Sequence, residues 1–281
     1  MTESVVWCDG TFVDTADAHV SVFDRGLTVG DGVFETLRTY GGVPFAARRH
    51  LDRLERSAAS LGLAPLDRAA ILEALCAISE RNGLGEARLR VTVTAGVGMP
   101  GSSRDTTVPV TLVAATALGT PAPSTSVVVA PWTRNERGAL VGIKSLSYAA
   151  NVRALAFAEA HGASEAIFAN TVGDLCEGTG SNTFFVRGGV LVTPALASGC
   201  LAGVTRALVL ELAHDLGTPV EERAASLDEF LASDEAFLTS TTREVQPIAH
   251  IDDRAIASVP GPVTEQLAAA FGRLTASDLD P

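Results

Sequence analysis

Residues 144–151, Lys-Ser-Leu-Ser-Tyr-Ala-Ala-Asn, contain the only lysine of the 281-residue chain; the other 20 cationic side chains are arginines. Arginine supplies positive charge and binds anions with a rigid fork of donors, so charge alone does not explain the lysine. A partly buried amine with a lowered pKa loses its proton and attacks a carbonyl carbon, which a guanidinium cannot do. The segment therefore favours Schiff-base chemistry at Lys144; the alternative is a surface lysine left over in an arginine-rich composition.

The composition and charge of the chain limit its partners. Its 281 residues allow one large domain or two modest ones, and an apolar content of 47% is enough to bury a core. The formal net charge of -12 argues against a nucleic-acid or acidic-membrane partner, because both require a basic face. We therefore expect small-molecule substrates, with no nucleic acid and no membrane.

The cysteines and the first residues predict a cytoplasmic protein. Cys8, Cys76, Cys176 and Cys200 form no C-x-x-C pair and no zinc-like spacing with the five histidines, so we expect reduced, mostly buried thiols and no metal. The first ten residues lack a basic segment followed by an apolar run, and no stretch of about 18 uninterrupted apolar residues occurs. These patterns predict neither a signal peptide nor a membrane span.

Hydrophobic periodicity divides the chain into two halves of mixed strands and helices. The first half is predicted to contain a hairpin over 5–13, strands over 33–40, 87–95 and 108–116, and helices over 46–61 and 66–81. The second is predicted to contain strands over 127–130, 165–170, 182–186, 190–192 and 235–239, and helices over 147–161 and 204–216. Two prolines among small polar residues mark 119–125 as a linker. We expect an α+β fold, with a small domain over 1–118 and a larger one over 126–281.

A lysine Schiff base with a pyridoxal cofactor needs an anion site for the phosphate, an acid partner for the ring nitrogen and a donor near the phenolic oxygen. Residues 201–206, Leu-Ala-Gly-Val-Thr-Arg, open a predicted helix whose free N–H groups and threonine hydroxyl suit a phosphate; an ordinary helix cap is the alternative. Residues 239–242, Thr-Ser-Thr-Thr, are a second anion candidate or a simple turn. Glu177 is a carboxylate among small and apolar residues, or a solvated loop acid, and Tyr148 lies four residues beyond Lys144.

Six runs of residues resemble one enzyme family. They are Asp24-Arg-Gly-Leu-Thr-Val-Gly-Asp-Gly-Val-Phe-Glu-Thr-Leu-Arg38, His50-Leu-Asp-Arg-Leu54, Lys144-Ser-Leu-Ser-Tyr-Ala-Ala-Asn151, Glu177-Gly-Thr-Gly-Ser-Asn-Thr-Phe184, Leu201-Ala-Gly-Val-Thr-Arg206 and Thr239-Ser-Thr-Thr-Arg-Glu-Val245. The runs resemble the class IV pyridoxal-phosphate enzymes, which include D-amino-acid and branched-chain aminotransferases and aminodeoxychorismate lyase. The resemblance extends in unbroken order from Trp7 to Asp252.

The resemblance implies fold type IV: a small N-terminal α/β domain, a larger C-terminal domain, pyridoxal 5'-phosphate between them, and a homodimer. In the family pattern Lys144 matches the lysine that bonds to the cofactor, and Glu177 matches the partner of its ring nitrogen. The matched phosphate ligands are Arg53 and Thr205, helped by Val204 and Thr241, and Tyr148 matches the donor to the phenolic oxygen.

The substrate residues depart from one branch of the family. D-amino-acid aminotransferases often carry an arginine where this chain has Ala95, and a tyrosine where it has Phe34. Arg90 matches a substrate-proximal arginine of the branched-chain group, and Arg88 and Arg90 alternate onto one face of the same predicted strand. A solvated strand face is the alternative for this pair. Phe34, Arg90 and Thr242 are the candidate substrate-binding residues.

The resemblance implies an aminotransferase that works by a ping-pong mechanism. Lys144 is expected to move a proton from the substrate Cα to the C4′ carbon of the cofactor. D-amino acids are the leading donors and R-amines are further candidate donors, with 2-oxoglutarate or pyruvate as the 2-oxo acid acceptor. The alternatives are aminodeoxychorismate lyase and a branched-chain L-amino-acid aminotransferase. A non-enzymatic cofactor carrier is disfavoured, because a carrier does not need Lys144, Glu177 and two anion sites together.

Overall fold

The computed structural model of the chain describes residues 4–99, 101–104 and 108–281. Residues 1–3, 100 and 105–107, all within the predicted first domain, lie outside the described part. The chain divides into two compact units: one contains the residues up to Gly119 together with Ile143–Tyr148 and Asp278–Pro281, and the other contains Thr120–Gly142 and Ala149–Ser277. This division differs from the predicted domains, because the lysine-containing segment and the last four residues join the first unit.

The first unit is built on a six-stranded antiparallel sheet. Its elements are β1 (Val5–Cys8), β2 (Thr11–Asp14), α1 (Arg25–Val29), β3 (Gly32–Tyr40), β4 (Val43–Pro44), α2 (Ala47–Ser60), α3 (Arg68–Arg81), β5 (Ala87–Thr94) and β6 (Val110–Ala117). The strand order is β2-β1-β6-β5-β3-β4. β1 and β2 form the predicted hairpin, and Asp9 and Gly10 both have the positive φ angles that a two-residue hairpin turn favours.

One face of this sheet packs against α2 and α3. Alternate residues of β3 and β5, such as Leu37 and Leu89, are fully buried with Leu51 and Leu54 of α2. Burying each such side chain contributes roughly 1.5–3 kcal/mol. Because side chains alternate along a strand, the intervening positions of β5, which include Arg90, lie on the opposite face.

The second unit holds a nine-stranded mixed sheet. Its elements are β7 (Thr125–Val129), α4 (Ala149–Ala160), β8 (Glu165–Ala169), β9 (Leu175–Gly178), β10 (Asn182–Arg187), β11 (Val190–Pro194), a short 3-10 turn (Leu196–Ser198), α5 (Val204–Asp215), β12 (Val220–Arg223), α6 (Leu227–Leu231), β13 (Glu235–Ser240), β14 (Glu244–Ile251), β15 (Arg254–Ala255) and α7 (Pro262–Ser277). The order is β12-β11-β10-β13-β14-β7-β8-β9, and β15 pairs with β14. β7 begins inside the predicted linker. Both units mix helices with antiparallel strands, which confirms the predicted α+β class.

The core of the second unit is aromatic on both sides of β10. Phe184 and Phe237 stack with ring centres 4.9 Å apart, and Phe185 meets Phe230 of α6 edge to face. All four rings are fully buried. This packing fixes β13, whose end leads into residues 239–242, and β10, whose first residue Asn182 hydrogen-bonds the Leu201 carbonyl.

Two further expectations concern thiols and membranes. Cys176 and Cys200 are buried free thiols, but Cys8 is only half-buried and Cys76 is exposed, so the cysteines are less buried than predicted. Among the helices in the described ranges, none has the length and apolar character needed to cross a membrane.

Candidate active site

Lys144 is held in the first unit by two backbone hydrogen bonds. Its carbonyl oxygen accepts from the Phe34 N–H at 3.0 Å, and its own N–H donates to Ser57 Oγ of α2 at 3.3 Å. A β-bridge between Val33 and Ser145 continues this pairing along the edge of β3. The lysine segment therefore behaves as a short additional strand beside β3, which explains why it belongs to the first unit.

The half-buried Lys144 side chain lies over the ring of Phe34. Its Nζ atom is 4.4 Å from the ring centre, and the Arg90 guanidinium carbon is 4.0 Å from the same centre. The Tyr148 ring meets Phe34 edge to face at 5.3 Å. The structure thus brings together four residues that the sequence predicts for the site: Phe34, Arg90, Lys144 and Tyr148.

Arg90 is exposed and only partly engaged. Its Nε donates to Thr92 Oγ1 at 3.1 Å, and its guanidinium stacks on Phe34. In the described part of the chain, neither Arg90 nor the neighbouring Arg88 forms an ion pair with a carboxylate. A guanidinium fixed at one edge and stacked on a ring keeps its remaining donors for an anion, which suits a substrate carboxylate.

Arg53 belongs to a buried charged cluster that the sequence did not predict. Its Nε and Nη2 donate to the two carboxylate oxygens of Glu35 at 2.6 and 2.8 Å, and His50 Nδ1 lies 2.8 Å from Glu35 Oε2. Burial raises the pKa of Glu35, but Arg53 and His50 outweigh burial and hold that pKa well below its usual value. Burial lowers the pKa of His50, so its imidazole is neutral at neutral pH. The bidentate pair fixes the orientation of the predicted phosphate ligand.

A signal for this cluster is present in the sequence. Glu35 lies between Val33 and Leu37 on the core-facing side of β3, where a carboxylate requires a buried partner. His50 and Arg53, three residues apart on α2, share the helix face that packs on this strand. An acid at an inward strand position beside a buried histidine and arginine indicates an ion-pair network.

In the second unit, Glu177 of β9 is anchored at both carboxylate oxygens. Oε2 accepts from the Leu201 N–H at 2.8 Å, and Oε1 lies 3.3 Å from Arg134 Nε. The side chain is only 13% exposed, so the alternative of a solvated loop acid is wrong. Arg134 was not predicted from the sequence.

The start of α5 leaves its first N–H groups available. The N-cap is Gly203, and no side chain in the described residues caps the helix. A Cβ atom on Gly203 would lie 2.0 Å from Asn182 Oδ1, so only glycine fits there. Val204 and Thr205 follow directly and are buried. The alternative of an ordinary side-chain cap does not apply, and the open helix start with a threonine hydroxyl suits a phosphate.

Residues 239–242 span the end of β13 and the start of the turn, residues 241–243, that joins β13 to β14, so the turn alternative holds for Thr241 and Thr242. Thr239 pairs with Asn182 across the sheet, and Asn182 donates through Nδ2 to the Leu201 carbonyl at 2.8 Å. Thr239 Oγ1 is buried without a hydrogen-bond partner in the described residues. Thr241 and Thr242 follow it and are half-buried. The second hydroxyl-rich run therefore begins beside the strand that supports the α5 start.

A family model described as amino-transferase class IV matches residues 32–251. The chain belongs to the class IV aminotransferases. This class IV enzyme is 37% identical over 283 residues to a putative branched-chain-amino-acid aminotransferase of Methanocaldococcus jannaschii, covering 95% of this chain and 94% of the relative. It is 32% identical over 267 residues to a D-alanine aminotransferase of Bacillus licheniformis, covering 94% of each chain. The class IV assignment confirms the predicted enzyme over a non-enzymatic carrier.

A solved structure confirms the fold of this aminotransferase. The holo-form of a branched-chain amino acid aminotransferase from Thermobaculum terrenum superposes with a TM-score of 0.88 at 30% identity. The superposition covers 97% of this chain and 94% of the other. The predicted fold type IV is therefore confirmed, and the cofactor of this aminotransferase is pyridoxal 5'-phosphate.

The residues of each unit fit the chemistry of that cofactor. The first unit supplies an amine held over an aromatic ring. The second supplies a carboxylate whose two oxygens are fixed, and a helix start with open N–H groups where only glycine fits. An amine, a fixed carboxylate and an open helix start are the three groups that the aldehyde, ring nitrogen and phosphate of the cofactor require.

Proposed function

We propose that this class IV enzyme transfers the amino group of branched-chain L-amino acids to 2-oxoglutarate. The observation that carries the proposal is Phe34, whose ring centre lies 4.4 Å from the Lys144 amine and 4.0 Å from the Arg90 guanidinium carbon. Such a ring offers apolar contact to an aliphatic side chain, while Arg90 pairs with a carboxylate. The relative from Methanocaldococcus and the Thermobaculum structure both carry the branched-chain name, which supports this alternative better than the leading expectation of D-amino acids.

We assign roles to the residues of this chain as part of the proposal. Lys144 Nζ would hold the cofactor through its aldehyde carbon, and the free amine would then move the proton released from the substrate Cα. The bound cofactor supplies an electron sink for the electron pair left at Cα. Glu177 holds the proton on the ring nitrogen, and Tyr148 donates to the phenolic oxygen.

The remaining proposed roles concern binding. Arg53, Thr205 and the Val204 N–H hold the phosphate, helped by Thr241. Phe34, Arg90 and Thr242 are assigned to substrate binding. The uncapped α5 start supports these phosphate assignments, because it presents N–H donors without a rearrangement, and the bidentate pair with Glu35 fixes the plane of the Arg53 guanidinium.

A second candidate is amino transfer from D-amino acids. The 32% identity to a D-alanine aminotransferase favours it, whereas Ala95, where that branch often carries an arginine, does not. Because one amine, Lys144, moves the Cα proton of either donor, the choice between L and D donors depends on which of two opposite placements the substrate carboxylate and side chain take about Cα. The lyase alternative differs from both, because it releases pyruvate from aminodeoxychorismate.

The test is a donor panel with the cofactor-loaded enzyme. L-leucine, L-valine, D-alanine and both enantiomers of 1-phenylethylamine are each supplied with 2-oxoglutarate, and the product 2-oxo acid or ketone is quantified. We expect the highest kcat/KM with the branched-chain L-amino acids. A preference for D-alanine and the R amine would contradict the proposal and restore the D-amino-acid function. Pyruvate release from aminodeoxychorismate, with no transfer from any donor, would show the lyase.

We also propose that the enzyme is a cytoplasmic homodimer. The resemblance to fold type IV enzymes supports the dimer, and the four free thiols are typical of a reducing compartment. Light scattering after size-exclusion chromatography measures the mass directly. A single 29.0 kDa species at micromolar concentration would contradict the dimer.

A further inference from the structure

Arg134 is a buried cation that none of the roles above uses. Arg134 forms a β-bridge with Asn170, the residue that follows β8 in the sequence. Its backbone N–H donates to the Ala169 carbonyl at 2.7 Å, so its Cα position is fixed by main-chain contacts. Its side chain is 22% exposed and reaches Glu177, with Nε 3.3 Å from Oε1.

The Arg134 guanidinium is oriented by groups other than Glu177. Its central carbon lies 4.4 Å from the centre of the Phe168 ring, and Nη1 donates to Asn151 Oδ1 at 3.1 Å. Asn151 is itself held, because its Nδ2 donates to the Thr179 carbonyl at 2.5 Å. Phe168 and Asn151 therefore hold the guanidinium beside the carboxylate as an ion pair, in which Nε makes no hydrogen bond within the described residues.

We propose that Arg134 is a positioning residue that keeps Glu177 ionised and oriented toward the ring nitrogen of the cofactor. The proposal rests on the function proposed above, in which Glu177 pairs with that nitrogen. A guanidinium beside Oε1 and the Leu201 N–H at Oε2 both stabilise the charged carboxylate. A carboxylate with a lowered affinity for its own proton leaves the shared proton on the ring nitrogen, where the cofactor withdraws electrons most effectively.

The other titratable groups close to Glu177 do not compete for this proton. Burial and the Glu177 charge both raise the pKa of Cys176 far above its ordinary value. Burial likewise raises the pKa of Cys200, and Glu177 adds to the effect, while Ser198 and Arg206 oppose it. Both thiols therefore stay neutral at working pH, and Arg134 supplies the opposite charge that Glu177 requires in a buried setting.

Two arginines of the second unit make a matched pair for the test. Arg153 of α4 stacks on the Trp132 ring at 4.4 Å, the same distance at which Arg134 stacks on Phe168. In the described residues, Arg153 forms no ion pair. Arg153→Met removes a stacked guanidinium without touching Glu177, so it controls for the loss of charge and packing.

The experiment measures the protonation of the ring nitrogen directly. Enzyme loaded with 15N-labelled pyridoxal 5'-phosphate is studied by NMR as wild type, Arg134→Met, Arg134→Lys, Arg153→Met and Glu177→Gln. For Arg134→Met we expect a shift toward the neutral pyridine position, together with a tenfold to hundredfold lower rate of the first half-reaction and a donor KM changed by less than about threefold. Arg134→Lys should recover part of both signals, and Arg153→Met should match wild type.

The outcomes separate the inference from the proposed function. A wild-type 15N position in Arg134→Met, with a shifted position in Glu177→Gln, overturns the role of Arg134 and leaves that of Glu177 standing. An unshifted position in both variants overturns the role of Glu177, and the inference with it. If Arg134→Met does not fold, Arg134→Lys and Arg134→Gln are judged by the same NMR signal.

Discussion

At the scale of single residues, Arg90 is the residue proposed to bind the substrate carboxylate. We expect Arg90→Ala to lower kcat/KM for amino acids about tenfold to a hundredfold, because it removes one charge-assisted contact. 1-Phenylethylamine has no carboxylate, so its half-reaction rate should hardly change. Arg88→Ala is the matched control, since Arg88 lies two residues away on the same strand face. Equal losses on amino acids and amine would show that Arg90 supports the fold or the cofactor instead.

The buried Glu35–His50–Arg53 cluster makes stability depend on pH. The pKa of His50 is lowered in the folded state, mainly by burial, from its ordinary value of 6.5. Below that value the unfolded chain binds a proton that the folded chain does not, so stability falls as the pH falls. The lowered pKa of Glu35 acts in the same direction at more acidic pH, below its ordinary value of 4.5.

His50→Gln isolates the histidine contribution, because glutamine retains a donor for Glu35 but does not titrate. Denaturant unfolding of wild type and His50→Gln at pH 7.5 and pH 5.5 gives, for each protein, the change in its free energy of unfolding between the two pH values. We expect wild type to lose about 1 kcal/mol more than the variant over this interval. Equal losses would mean that His50 has the same pKa in the folded and the unfolded protein.

At the scale of secondary-structure elements, the start of α5 is the most constrained segment. A Cβ atom on Gly203 would collide with Asn182 Oδ1, whereas one on Gly272 of α7 would meet nothing within 4 Å. Gly203→Ala should therefore weaken cofactor retention and lower the melting temperature, because the helix start must move. Gly272→Ala should stabilise the protein by about 0.4–1 kcal/mol with cofactor retention unchanged. Dialysis with cofactor quantitation and thermal unfolding check both; full retention in Gly203→Ala would remove α5 from the phosphate site.

Periodicity predicts the elements that have one buried face. α2 and β5 follow their predicted bounds within two residues, because their apolar positions recur at helical and alternating spacing. β9 was missed: it is four residues long and carries a cysteine, a glutamate and a glycine. α7 was missed because its start is organised from a distance, where Glu235 accepts from the Thr264 N–H at 2.8 Å.

The sequence predicts single site residues better than it predicts their neighbours. Lys144 stands out because it is the only lysine of the chain, and Glu177 stands out because it begins one of the runs that match the family. Arg134 does not, since it lies 43 positions before Glu177 and reaches it only through the sheet pairing that brings Arg134 beside Asn170. Glu35 lies within one of the runs that match the family, but only the packing of the structure reveals its partners on α2.

At the scale of the whole molecule, the chain does not divide at a single linker. Ile143–Tyr148 leaves the second half of the sequence to pair with β3, and Asp278–Pro281 returns to α2. The return is fixed by the Ala46 N–H, which donates to the Leu279 carbonyl at 2.7 Å, and by Arg48 with Asp280. Prolines and glycines in a sequence predict turns and linkers, but they do not predict which distant segments pair as strands. This arrangement was therefore not predictable from the sequence.

The central claim for the whole enzyme is that Lys144 carries the cofactor and releases it to the substrate. Borohydride reduction of the loaded enzyme fixes the cofactor to the amine that holds it, and peptide mapping by mass spectrometry locates the added mass. We expect the label on the peptide containing Lys144, no label in Lys144→Ala or Lys144→Arg, and loss of the wild-type label after incubation with L-leucine. Label at another amine, or turnover retained in either variant, would contradict the account.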